Sequence, residues 1–442
     1  MKTRNMLLSL LVVLGVLLSA CAPAAAPTTA PTQPPAAPAT QAPAPTAVPP
    51  TAVPPTEEPK MEEVSFVLWT QEGEAEGVFQ EIQALAEEYS GMHPNVTIEV
   101  VQKNTETLRE DYQTASLAED APELLWTVND HVGVFSLADL IQPVDDLVDL
   151  GQYVDSALAA VELDGKHWGV PISNGNHLML LYNKDLVADA PQNTDELIAK
   201  AKEVTAGDVW GFVYNQTEPF WLVPWLGGFG GKVFADDGKT PTLNTPEMVA
   251  TLQFLHDIKY VDEIVPPESD YNGADTLFKE GKAAMLVNGD WSLGDYSTAL
   301  GDKLGVAALP EVVSSGLWPA PYTSGKFFMI TKDVEEAKLA AILDFISFVT
   351  SEDVQIRFVE KFKRLPALTA ALDDPLITED PILQGSAAQM VNGTPMPVQA
   401  EMRCNWDSMK PEMAKVLADE STPEDAAAAM QAAAEACMKT LQ

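Results

Sequence analysis

Residues 164–186, DGKHWGVPISNGNHLMLLYNKDL, constrain the fold more than any other stretch of the chain. An Asp164-Gly165 turn leads through Trp168-Gly169-Val170-Pro171 into a Gly/Asn-rich bend, and an apolar run follows from Leu178 to Tyr182. One continuous element cannot span both halves. Pro171 lacks a backbone donor and holds Val170 in extended geometry, while Gly175 reaches backbone angles closed to other residues. Such a stretch suits a chain that leaves one sheet and enters another, with a few backbone angles acting as a hinge. A surface turn followed by an ordinary buried strand is the alternative.

At 442 residues the chain is long enough for two or three domains. Its 26 Lys+Arg against 65 Asp+Glu give a net charge of -39. That field repels phosphate backbones and excludes nucleic acid as a partner. It also disfavours anionic solutes and leaves neutral or cationic ligands. The five histidines, His93, His131, His167, His177 and His256, stand at no zinc-ligand spacing, so no metal or other cofactor is expected.

Lys2 and Arg4 precede an apolar run from Met6 to Leu18, short for a membrane span, which ends in Leu18-Ser19-Ala20-Cys21. Small residues before a cysteine at this place resemble the bacterial lipoprotein box. The resemblance implies a signal peptide over 1–20, cleavage before Cys21 and lipid on its sulfur and new amino terminus. A plain signal peptide with an incidental cysteine is the alternative. From 22 to 60 the composition falls to Pro, Ala, Thr and Gln, which favours polyproline II and reads as a tether. At ~3.1 Å per residue that tether reaches up to ~120 Å. Two cysteines remain, Cys404 and Cys437, and in an exported protein the pair is expected to be bridged, two unpaired thiols being the alternative.

The folded part opens with a β-α-β pattern. Val64 to Trp69 reads as a buried strand, Val78, Ile82, Leu85 and Tyr89 recur at helical spacing, and Val96, Ile98 and Val100 alternate as a second strand. Strands alternating with amphipathic helices imply a parallel sheet covered on both faces, with ligands collecting at the carboxyl ends of strands. Trp69, Glu72 and Glu74 stand at such an end. Another strand, from Leu124, runs into the polar tip Asn129-Asp130. Farther on, Trp210 to Gly231 is dense in aromatics among prolines and glycines, with Glu218, Phe220 and Trp221 at its centre. No helical or strand period orders these rings. They read either as the wall of a cleft, where sugar C-H faces stack on aromatic planes, or as packing of a second lobe.

Several of these segments carry a resemblance. G-K-x-[YW]-G-x-P followed by Leu181-Tyr182-Asn183-Lys184-Asp185-Leu186, and Phe278-Lys279-Glu280-Gly281-Lys282-Ala283-Ala284-Met285 followed by Gly289 and Trp291, resemble the extracellular solute-binding lipoproteins of sugar ABC importers, the maltose/maltodextrin-binding group in particular. Pro122-Glu123-Leu124 and Leu365-Pro366-Ala367 resemble further markers of that family, in the family's order. The resemblance implies that Asn129 and Asp130 offer polar groups to sugar hydroxyls. It also implies that Glu218 and Phe220, in an E-P-[YF] segment, contact sugar and that Trp291 and Trp406 stack on it. Asn176, in the bend after Pro171, completes the candidates. There are two departures. Ser173-Asn174-Gly175-Asn176-His177 lacks the acidic residue of the maltodextrin group, and Glu72 and Glu74 replace an Asp-Lys pair.

The expected fold is therefore α/β and two-lobed, of the type II periplasmic-binding-protein kind, each lobe a mostly parallel sheet flanked by helices. Residues 61–171 plus 320–370 form one lobe and 172–319 plus 371–442 the other, after an anchor and tether over 21–60. The expected function is capture of a carbohydrate, an oligosaccharide of maltodextrin type, between closing lobes, and delivery to an ABC permease by a monomer held on the membrane's outer side, without catalysis. Two alternatives remain. The same fold would take a cationic or other small solute such as a polyamine, osmolyte or peptide, or paired carboxylates such as Glu218 with Asp290 or Asp130 would make a glycoside hydrolase.

Overall fold

Two sheets organise the chain, whose structure, a computed structural model, describes residues 62–74 and 77–441. Cys21, the signal peptide and the tether lie outside the described residues. Among the described residues no helix is long and apolar enough to cross a membrane.

The first sheet is built on the β-α-β pattern. The strand Val64–Thr70 pairs in parallel with Val96–Gln102 on one side and Leu124–Thr127 on the other. Its alternation sends Phe66 and Leu68 to one core and Trp69 to a second core on the opposite face. The helix Val78–Met92 buries Val78, Ile82, Leu85 and Tyr89, the stripe its spacing predicts. The sheet is completed by three strands from later in the chain, Tyr322–Ile330 antiparallel to Leu124–Thr127, Val170–Gly175 antiparallel to Tyr322–Ile330, and the short Thr394–Pro395 parallel to the start of Tyr322–Ile330.

The second sheet runs in the order Leu304–Ala307, Leu178–Asn183, Ala283–Gly289, Trp210–Tyr214. It too is covered on both faces, since Leu178 and Leu180 join one core while Met179 and Leu181 join another. A parallel pairing joins Trp210–Tyr214 to Ala283–Gly289, but the other two pairings are antiparallel. The second sheet is thus mixed rather than mostly parallel, whereas the first is parallel in three of its five pairings. The reason is that strands continuing from a crossing enter the second sheet head-on to their neighbours, without a helical crossover to reset direction.

Between the sheets the chain crosses within a few residues, from Gly175 to Leu178. Gly175 has φ 142 and Asn176 φ 48, so the reversal uses the left-handed freedom that the sequence places there. Pro366 lies against Ser173 as an isolated bridge, bringing a third segment alongside. The division by sequence puts 371–442 in the second lobe. In the structure Val398 and Ala400 pack into a core of the first sheet, and a Cβ on Gly133 would meet the Val398 carbonyl at 2.2 Å. A helix without a side chain at that point lets the returning chain seat against it.

The helices Glu401–Leu417 and Pro423–Met438 pack on the second sheet's side, through Met409, Met413, Ala426 and Met430. A Cys404–Cys437 disulfide, closing a sequence separation of 33, joins them. Replacing both cysteines by serine is expected to lower the unfolding free energy by about 3 to 4 kcal/mol, by loop-closure entropy. Chemical denaturation of the non-reduced proteins measures it, and equal midpoints would show that the crosslink restrains little.

Candidate functional site

Parallel strands end at a common edge, and here their registers align the ends: Thr70 lies opposite Gln102 on one side and Trp126 on the other. The loops leaving those ends carry Glu72, Glu74, Glu106 and Asp130. Across from them, the parallel pair Trp210–Tyr214 and Ala283–Gly289 brings Glu218, Phe220, Trp221 and Trp291 to its own carboxyl edge. The helix Glu401–Leu417 adds Trp406, Asp407 and Lys410. Together these groups line one cavity of about 720 Å³, and Asn176 reaches it from the crossing.

Aromatic rings form one wall. Phe220 stands with its centroid 6.2 Å from Trp291 and 6.3 Å from Trp406, and Trp221 lies 6.2 Å from Trp291 and 6.1 Å from Tyr271. Trp221 is mostly interior, with Nε1 donating to the Val287 carbonyl at 2.9 Å, so it backs the wall. Trp291, half-buried, donates through Nε1 to the Tyr271 hydroxyl at 3.0 Å. Its indole folds back over the strand end, where a Cβ on Gly289 would meet it at 2.1 Å. The small residue the sequence places two positions earlier is what permits that fold.

The polar groups are largely matched to one another. Glu72 is buried, and Arg364 grips it through two bonds of 2.7 Å while Trp126 Nε1 donates at 3.1 Å. Burial pushes this carboxyl up, but Arg364, Lys326 and the hydrogen bonds outweigh it and hold the pKa at about 2. Lys410 pairs with Glu218 and lies 3.8 Å from Glu106, and Arg109 lies 3.6 Å from Asp407. Burial and the facing Glu218 raise the Glu106 carboxyl. Asp130 keeps one buried oxygen without a hydrogen-bond partner, 4.0 Å from the His131 ring, whose pKa burial holds below its ordinary value so that it offers no charge to the carboxylate. Asn176 donates its backbone N–H to Asp290 at 3.0 Å. Asp290 thus brings a carboxylate to the bend whose own sequence has none.

Two candidates do not reach the cavity. Trp69 faces the helix-covered side of its sheet, with Lys103 Nζ 3.7 Å from its ring centroid, because its parity along the strand is opposite to that of a residue pointing off the end. The Asn129 side chain is spent on the backbone, donating to the Ala160 and Met396 carbonyls and accepting from Ser324. Arg364, Lys326, Glu106, Arg109 and Lys410 were missed. Lys326 alone left a signal, as the one charge in the apolar strand Tyr322–Ile330. Among the described residues no group of three or more His, Cys, Asp or Glu could hold a metal.

Two α/β lobes, joined by short crossings and meeting at strand ends around an aromatic and polar cleft, define a solute receptor. The chain belongs to the bacterial extracellular solute-binding protein family, whose pattern matches residues 84–385. It is a binding protein of this family rather than an enzyme. It is 28% identical to a maltotriose-binding protein of Pyrococcus abyssi, over 77% of this chain and 75% of that one. It is 26% identical to a maltooligosaccharide ABC transporter solute-binding lipoprotein of Streptococcus pneumoniae, over 66% of this chain and 70% of that one. Among solved structures, the maltose/maltodextrin-binding domain of Bdellovibrio bacteriovorus bound to maltotriose is similar at a TM-score of 0.81 and 36% identity, covering 85% of this chain and 100% of that one.

Arg364→Met would leave Glu72 buried without its guanidinium, and a loss of about 3 to 5 kcal/mol is expected in urea denaturation at neutral pH. Glu72 has a folded pKa below its ordinary 4.5. Its stabilisation is therefore present above that value and lost as pH falls toward about 2. The gap between wild type and variant should narrow across that interval. A constant gap would assign the effect to packing.

Proposed function

We propose that the cleft captures a neutral oligosaccharide of the maltotriose and maltodextrin kind between two closing lobes, and delivers it to the membrane-spanning subunits of an ABC importer. The observation that carries this reading is the aromatic wall of Phe220, Trp291 and Trp406, with Glu218 beside it, in one cavity with Asp130 from the other sheet's strand ends and Asn176 from the crossing. Flat rings take the C-H faces of sugars, while polar groups at the ring edge fix the hydroxyls. The ligands of the relatives support the same assignment.

Charge argues against a cationic cargo. Despite the net charge of -39, Glu72, Glu218 and Asp407 each have a cation beside them, and Lys326 is buried in the cleft wall. A polyamine would have to displace those partners. On this reading Trp291, Trp406 and Phe220 stack, and Asp130, Asn176, Glu218 and Glu74 meet hydroxyls. Glu72 acts through Arg364.

The sequence division is 61–171 plus 320–370 and 172–319 plus 371–442; we move 172–175, 394–395 and 398–400 to the first lobe, because they pair or pack with its sheet. Lipid on Cys21 and the tether place the receptor at the membrane's outer side. Capture needs no second copy, and the receptor is assigned as a monomer.

Maltotriose at a hundred times its dissociation constant should stabilise the protein by about 2.7 kcal/mol, seen as a raised thermal midpoint. Trp291→Ala should weaken binding about tenfold or more. A midpoint unmoved by malto-oligosaccharides but raised by polyamines would replace the sugar by a cationic cargo.

A further inference from the structure

A lysine inside an apolar strand needs a reason. Tyr322–Ile330 reads YTSGKFFMI, and Phe327 to Ile330 go into the cores of the first sheet. Lys326 is only 7% exposed, yet it lines the cleft. The pairing of this strand with Val170–Gly175 holds register through Lys326↔Ser173 and shifts between Lys326 and Phe327. An irregularity of this kind re-aims the side chains on either side of it, which is why such features recur beside binding sites.

The protein supplies that ammonium with no acceptor of its own. Among the described residues Lys326 has no carboxylate within ion-pair distance and no side-chain hydrogen bond, and its nearest aromatic partner is Trp291, 6.0 Å from Nζ to ring centroid. Glu72 is already gripped by Arg364, and Asp290 turns one oxygen to the Asn176 amide. These carboxylates and Asp130 act on Lys326 only through space. An ammonium has three donors and no acceptor, so a group that satisfies it must present lone pairs. Asp130, with a buried oxygen lacking a partner, presents the opposite need. A hydroxyl both accepts and donates, and adjacent hydroxyls on one ring meet both needs at once.

We propose that Lys326 is a specificity-determining contact, donating to hydroxyl oxygens at the edge of the sugar ring that stacks on Trp291, with Asp130 accepting from a neighbouring hydroxyl. The inference rests on the oligosaccharide reading and deepens it. Because Lys326 pairs with Ser173, two residues before the crossing at Gly175, the contact ties the ligand to the chain that enters the hinge.

Isothermal titration of wild type, Lys326→Met and Lys326→Gln with maltotriose and its monodeoxy analogues tests this, with thermal unfolding of each free variant as the folding control. Lys326→Gln keeps two of the three donors without the charge, and stands in should the methionine variant not fold. Wild type should lose at least tenfold in affinity for one deoxy analogue, and Lys326→Met should lose at least tenfold for maltotriose while scarcely distinguishing that analogue. Equal affinities of wild type and variants, or equal losses across every analogue, overturn the inference while leaving the oligosaccharide reading standing. A wild type silent toward maltotriose and a panel of malto- and galacto-oligosaccharides overturns both.

Discussion

The antiparallel pairing of Val170–Gly175 with Tyr322–Ile330 is the constraint on which the rest of the molecule depends. Both strands belong to the first sheet, and both are directly continuous with chain that serves the second. The ribbon is tight at its two glycines. A Cβ on Gly325 would meet the Ser173 carbonyl at 2.1 Å, and one on Gly175 would meet Asp290 at 2.2 Å. Backbones brought this close keep their ladder hydrogen bonds up to the point of crossing. The paired strands are thus a fixed line along the first wall, and the change of direction falls on Gly175 and Asn176.

A fixed line makes the electrostatics of the cleft local rather than global. The net charge of -39 sets long-range steering, but a surface charge more than about 8 to 10 Å away is screened by salt. What a ligand meets is the set of pairs at the strand ends. Arg364 on Glu72 comes from the segment just before the third crossing, so one buried ion pair joins the first loop to the hinge region. Such a pair adds little net stability against an apolar substitute. Its effect is geometric: Glu72 cannot swing into the cleft, and Trp126 is fixed by the same carboxylate.

Periodicity located the first strand, both faces of its sheet and the helix stripe, because those are local facts about alternation. Asn193, whose side chain accepts from the Glu196 N–H, opens the helix Thr194–Val204, and Gly281, at φ 71, follows Tyr271–Lys279, so these ends too lie at residues of local capping type. The aromatic stretch divided between the two readings open to it, Phe220 reaching the wall while Phe212, Tyr214, Trp221 and Trp225 pack the second core, and Trp291 and Trp406 were marked by the family resemblance. Trp69 misled, since a residue one short of a strand's end still obeys strand parity. Asn129 misled because a loop's own carbonyls consumed its amide. Arg364 could not be read at all, as its partner lies 292 residues away and nothing near it repeats or alternates. Mixed strand direction was equally hidden, since a strand's pattern records which face is buried and not which way its neighbour runs.

The magnitudes decide what closes the cleft. Lys410 near Glu106 and Arg109 near Asp407 join side chains borne by opposite walls, and most of these groups are substantially exposed. Pairs of that kind are worth about 0 to 1 kcal/mol each. Moving an equilibrium from one part closed in a hundred to ninety-nine requires about 5.5 kcal/mol of difference between the states. Two rim pairs fall short of that, so they orient the walls without holding them. The remainder must come from groups that a ligand engages on both sides together, namely stacked rings on one wall and polar groups on the other, and these contribute fully only when the walls meet. A cleft built this way stays poised in the absence of a ligand and commits when one is present, which is the behaviour a receptor that must also release its solute requires.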